Sequence, residues 1–211
     1  MNAKLAQLLL ETINALARGG LCRATGGNFS ARIDAETFLI TRSGADKARL
    51  TEQDFLVCDL RGAARNTSMV PSAESPIHAA VYGAGKKVGA VLHTHSVALT
   101  ALSLSTRGEL HFSGYEMQKS ITGQNSHEQT LRLPVLENSQ DMQFLHDEVT
   151  RLWPSLGKGF GFVLRGHGLY AWGENLFEAR RHIEGFEYLA ECELAKRLLA
   201  VAKPGTTPGA R

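Results

Sequence analysis

Val91-Leu92-His93-Thr94-His95-Ser96 sets two imidazoles two residues apart at the end of an apolar run. Side chains at i and i+2 of a strand project to one face. His93 and His95 are therefore expected to enter one space together, each offering a ring nitrogen lone pair, which suits a metal ion. The plainer alternative is two strand-end histidines bonded to backbone. A third histidine, His167, stands between Gly166 and Gly168 at the end of another apolar run. Glycines there let the chain turn sharply and let something approach closely. A catalytic zinc takes three protein ligands and keeps a fourth position open. His93, His95 and His167 could supply the three; taken alone, His167 reads rather as a turn residue.

Two carboxylates and three small loops extend the chemistry. Glu74 precedes Ser75-Pro76, a helix start, where a carboxylate could cap the helix, transfer protons or give a fourth ligand. Glu116 lies in Gly114-Tyr115-Glu116-Met117-Gln118; a solvated surface charge is the default for a single Glu. Thr25-Gly26-Gly27-Asn28, Ser43-Gly44 and Ser72-Ala73 combine hydroxyls with backbone N–H groups in the manner of anion sites. The glycines at 157, 159 and 161 approach a strand rather than follow one, so they are not a dinucleotide fingerprint.

The elements that must hold these groups follow from periodicity. Leu5, Leu8, Leu9, Thr12, Ile13 and Leu16 keep a helical rhythm that Gly19-Gly20 ends. Strands are expected from Phe29 to Ile33, in TFLIT and in FLVCDL. A helix starts at Ser75-Pro76, with Ser75 as N-cap and Pro76 at N1. VGAVLHTH reads as a central strand covered on both faces. Helices are expected over 98–104 and 140–153, the latter closed by Pro154, with a long final helix from Leu176 to Leu194. LPVLE, GFVLR and GLYAW are further strands; 105–130 gives no clear pattern. Mixed elements on short connections imply a single layered α/β domain over 1–203, and KPGTTPGAR implies a disordered tail over 204–211.

Composition excludes several classes. With 43% hydrophobic and 21% charged residues and a net charge of +2, the chain has no field that calls for nucleic acid or a membrane surface. Its apolar runs are shorter than the ~20 residues a bilayer span needs. Cys22, Cys58 and Cys192 are odd in number and lack CxxC spacing, which suggests free thiols in a cytoplasmic protein.

Taken in order, TGGNFSAR, ITRSG, PSAESPIH, VLHTHS and RGHGLYAWG resemble the class II aldolase/adducin family over nearly the whole chain. The stretches GGNFSAR, SGADKARL, HTHS, GYEMQK and GHGLYAWG are most similar to a dehydratase branch acting on a phosphorylated keto-sugar. The resemblance implies a three-layer α/β/α sandwich around a largely antiparallel sheet. It implies one zinc per subunit on His93, His95 and His167, and a phosphate site on Asn28, Ser43, Gly44 and Ser72. It also implies a homotetramer with sites between subunits. Glu116 is expected as acid/base, with Glu74, at the aldolase-type position, as a second site residue. An aldolase, a 4-epimerase or a non-catalytic adducin-like module are the alternatives on the same scaffold.

Overall fold

The computed structural model describes residues 3–201. The expected end of the domain at 203 and the tail over 204–211 lie outside the described residues. Helix α1 (Ala3–Arg18) buries Leu9, Thr12, Ile13 and Leu16 of the face its periodicity predicts, while Leu8 on that face stays 43% exposed. Then come β1 (Asn28–Arg32), β2 (Thr37–Thr41), β3 (Phe55–Asp59), α2 (Ser75–Ala84), β4 (Ala90–Thr94) and α3 (Val97–Leu104). They are followed by β5 (Glu109–Phe112), β6 (Leu131–Leu136), α4 (Met142–Leu156), β7 (Gly161–Leu164), β8 (Gly168–Gly173) and α5 (Leu176–Val201).

The strands form one sheet in the order β3-β2-β1-β4-β8-β7-β6-β5. Every pairing is antiparallel except β6 with β7. Alternate strand residues enter two separate cores. Leu92, Val163, Leu169 and Ala171 join Leu9, Leu99 and Phe186 of α1, α3 and α5. Val91, Phe162, Tyr170 and Trp172 join Ile77, Val81, Leu145 and Val149 of α2 and α4. The sheet is thus covered on both faces, which is the expected three-layer sandwich. Its central strand β4 is buried throughout, as its unbroken apolar run implies.

Three helix ends differ from expectation, the first being α5, which runs past Leu194 to Val201. Ser75 is the first residue of α2 rather than its cap. Its hydroxyl donates to the Gly62 carbonyl at 2.7 Å, and Glu74 occupies the N-cap position without capping through its side chain. Pro154 does not close α4, which runs on to Leu156. Beyond it the Gly157 N–H closes the helix on the Trp153 carbonyl at 2.9 Å. The unreadable stretch holds β5 and a 3-10 turn at Glu116–Ser120.

Candidate metal centre

His93 stands near the end of β4, directly opposite Asn28 of β1 and Tyr170 of β8. Its ring stacks on Tyr170 with centroids 4.0 Å apart. Its Nδ1–H donates to the Leu169 carbonyl at 2.9 Å, which fixes the tautomer and turns the Nε2 lone pair toward its neighbours. His93 Nε2 lies 2.8 Å from His95 Nε2 and 3.3 Å from His167 Nε2. His95, one residue past the end of β4, stays on the His93 side of the strand, and the turn between β7 and β8 brings His167. Gly166 has φ of +66°, and a Cβ on Gly168 would come within 2.2 Å of the Thr94 carbonyl. Both glycines are therefore needed where the sequence sets them.

Glu74 completes the cluster. Its Oε2 is 3.4 Å from His93 Nε2, and its Oε1 is 3.1 Å from His167 Nε2. Burial works against its charge, but His93, the bond to His167 and the bond from Asn28 hold it well below the ordinary carboxylate range. His93 is fully buried, and burial pushes its pKa down to about 3, so its ring is neutral near pH 7.

These groups fit a metal ion. Three histidine nitrogens lie within 4.8 Å of one another. Ligands 2.0–2.1 Å from a tetrahedral ion sit about 3.3 Å apart, close to what is seen here. Neutral imidazole lone pairs and a carboxylate facing one point repel one another unless a cation lies among them.

The three anion-type loops converge beside this cluster. Asn28, Ser43, Gly44 and Ser72 line one cavity of about 220 Å³ together with Glu74 and His95. Asn28 already gives one Nδ2–H to Glu74 at 2.5 Å, leaving its second for the cavity. Two cations that sequence reasoning missed line the same space, Arg42 and Lys47. Lys47 is only 3% exposed and donates to the Thr25 and Ala45 carbonyls at 2.9 and 2.8 Å. Those bonds spend two of its three N–H donors. A lysine in a polar loop carries no burial signal, so only the folded contacts reveal it. A larger groove of about 490 Å³ between α1 and α5 touches none of these groups, so size alone does not locate the site.

Glu116 lies apart from the cluster within one chain. It is 69% exposed and pairs with Lys119 at 2.7 Å and His127 at 3.0 Å. The bond from Lys119, with help from His127, lowers its pKa. All three cysteines are free; Cys58 is buried, while Cys22 and Cys192 are half-buried. Burial pushes the Cys22 thiol up to about 11, so it is not a nucleophile near neutrality.

Residues 7–194 match the Class II Aldolase and Adducin N-terminal domain, and the chain belongs to that family. Two similar proteins carry the name methylthioribulose-1-phosphate dehydratase. The one from Yersinia enterocolitica is 45% identical over 90% of this chain and 91% of its own length. The one from Pectobacterium carotovorum is 45% identical over 90% and 94%. Among solved structures, L-fuculose-1-phosphate aldolase from Thermus thermophilus superposes with a TM-score of 0.78. It is 31% identical, over 96% of this chain and all of its own.

Proposed function

We propose that the chain dehydrates 5-methylthioribulose 1-phosphate to 2,3-diketo-5-methylthiopentyl 1-phosphate, a step of methionine salvage. In this reading it is a cytoplasmic zinc-dependent homotetramer with sites between subunits. The observation that carries the reading is three histidine nitrogens and the Glu74 carboxylate meeting beside a cavity walled by Asn28, Ser72 and Lys47. The names of the 45% identical relatives supply the substrate.

Zinc held by His93, His95 and His167 would supply Lewis-acid stabilisation of negative charge on substrate oxygens. The phosphate is received by the second Asn28 N–H, by Ser43 and Ser72, by the backbone at Gly44 and by Lys47. Glu116 takes the proton from C3, and the electrons move toward the C2 carbonyl. The C3–C4 double bond then forms as the C4–O bond breaks, with the proton returned so that water departs. The resulting enol gains a proton at C4 and gives up the proton on its C3 hydroxyl, becoming the diketone. Glu74 is the second site residue. Glu116 serves from a neighbouring copy, because its own chain holds it at the surface. Exposed apolar residues Val97, Leu104, Leu198 and Leu199, each more than 60% accessible, are consistent with a surface that another copy covers.

A second reading is retro-aldol cleavage, favoured by the Glu74 carboxylate beside the histidines and by the likeness to a fuculose phosphate aldolase. A single-turnover reaction of the metal-loaded protein with 5-methylthioribulose 1-phosphate separates the two. The diketone is the expected product. Release of a triose phosphate and an aldehyde would replace the dehydratase by the aldolase.

A further inference from the structure

Glu74, His78 and Tyr82 are spaced by four along α2 and so share one stripe of the helix. Asn28 and Ser30 are two apart on β1 and share the sheet face beneath it. Four helical residues rise ~6 Å and two strand residues ~6.6 Å, so the rows mesh. The result is a hydrogen-bonded ladder that alternates between helix and strand. Glu74 Oε2 meets Asn28 Nδ2 at 2.5 Å, and Asn28 Oδ1 meets His78 Nε2 at 2.5 Å. His78 Nδ1 meets Ser30 Oγ at 2.7 Å, and Ser30 Oγ meets the Tyr82 hydroxyl at 2.8 Å. Ser30, His78 and Tyr82 are completely buried, and Asn28 is 5% exposed.

Donor chemistry gives the ladder one direction. An ionised carboxylate only accepts, so the Asn28 amide turns its nitrogen to Glu74 and its oxygen to His78. That oxygen must receive a proton from His78 Nε2. Burial keeps His78 neutral, with its pKa down at about 3, so Nδ1 carries no proton. Nδ1 therefore accepts the Ser30 hydroxyl, and the Ser30 oxygen accepts the Tyr82 hydroxyl. With its one hydrogen so used, Ser30 makes only a long contact to the Val91 carbonyl, at 3.3 Å. Every donor points toward Glu74.

We infer that His78 is a positioning residue. It touches neither the metal cluster nor the cavity, yet it fixes which end of the Asn28 amide faces them. In the fixed orientation one Asn28 N–H holds Glu74 and the other faces the cavity. A flipped amide would turn its oxygen toward the Glu74 carboxylate and toward any anion in the cavity, and both contacts are repulsive. The part that concerns phosphate rests on the function proposed above; the part that concerns Glu74 does not.

Two measurements test this. In the zinc-loaded protein with 15N-labelled histidine, NMR should find His78 protonated at Nε2 and bare at Nδ1; the opposite tautomer overturns the inference. The second uses variants. Gln carries its amide nitrogen where Nε2 stands, whereas Asn reaches only the place of Nδ1. His78→Gln should keep kcat and inorganic phosphate affinity within ~3-fold of the parent, while His78→Asn and His78→Phe should lose at least ~10-fold in both with zinc content unchanged. Equal behaviour of the Gln and Asn variants, or an unaffected Phe variant, overturns it. If the parent protein does not turn over 5-methylthioribulose 1-phosphate, the proposed substrate falls, and the tautomer and the phosphate titration still decide the role of His78.

Discussion

At the scale of single residues, the site is built by using one nitrogen of each group to aim another. His93 gives Nδ1–H to Leu169 so that Nε2 faces His95 and His167. His93→Ala should therefore remove both bound metal and turnover; full activity in a thoroughly chelated sample would rule out a metal reaction. Ser72 accepts from the Glu74 N–H at 3.3 Å, which leaves its own proton for a ligand. Ser72→Ala should weaken binding of the phosphorylated substrate by ~1.5–3 kcal/mol, read as a higher KM. The two glutamates are told apart by a pair of isosteric changes. Glu116→Gln should cut kcat by at least ~10²-fold with zinc and folding preserved. If Glu74→Gln abolishes turnover while Glu116→Gln is mild, the roles are exchanged. The histidines were legible in the sequence because strand period and flanking glycines are local signals. The surroundings of Glu116 were not, because its partner His127 comes from a patternless loop.

At the scale of elements, β4 carries chemistry on one face and structure on the other. His93 faces α2, while Thr94, next along, turns to α5 and donates its hydroxyl to Glu187 at 3.0 Å. Glu187 is 3% exposed, and its second oxygen has no partner. Burial raises its pKa to about 7 against the bond from Thr94. A carboxyl raised on folding adds stability that is fully present below its ordinary value near 4.5 and is lost as pH climbs through 7. Glu187→Gln should therefore raise stability at pH 8 by up to ~3 kcal/mol, with the gain shrinking toward pH 5, as thermal melts across that range would read. A constant difference at all pH values would mean that Glu187 does not titrate on folding. Sequence pattern recovered α1 because it buries a regular face, and β4 because its unbroken apolar run is covered on both faces. It gave no sign of the polar stripe at 74, 78 and 82 on α2, because i,i+4 polar spacing reads as a solvent face until β1 lies beneath it. The 3-10 turn at Glu116–Ser120 escaped for a similar reason. It is held by long-range bonds, from Tyr115 to Glu193 at 2.8 Å and from Gln118 to the Gln129 carbonyl at 2.6 Å.

At the scale of the whole molecule, the layered α/β class followed from the alternation of patterns along the chain. The strand order did not, since β4 pairs with β1 and β8 across long stretches of sequence and nothing local encodes that neighbour choice. Assembly is further still from local pattern, yet in the proposed reading it bears directly on the chemistry. A site that takes its metal ligands from one copy and Glu116 from the next can be divided between two inactive chains. Chains bearing His93→Ala keep Glu116, and chains bearing Glu116→Gln keep the histidines. In a closed ring each contact joins unlike surfaces of successive copies, so a random equal mixture restores about a quarter of the sites. Co-expressed variants should therefore recover roughly a quarter of the parent's turnover, although either variant alone is inactive. Light scattering on the same sample should give four chains per particle. Were Glu116 to act within its own chain, every site in the mixture would lack either the metal ligand or the base, and the mixed sample would stay as inactive as its parts.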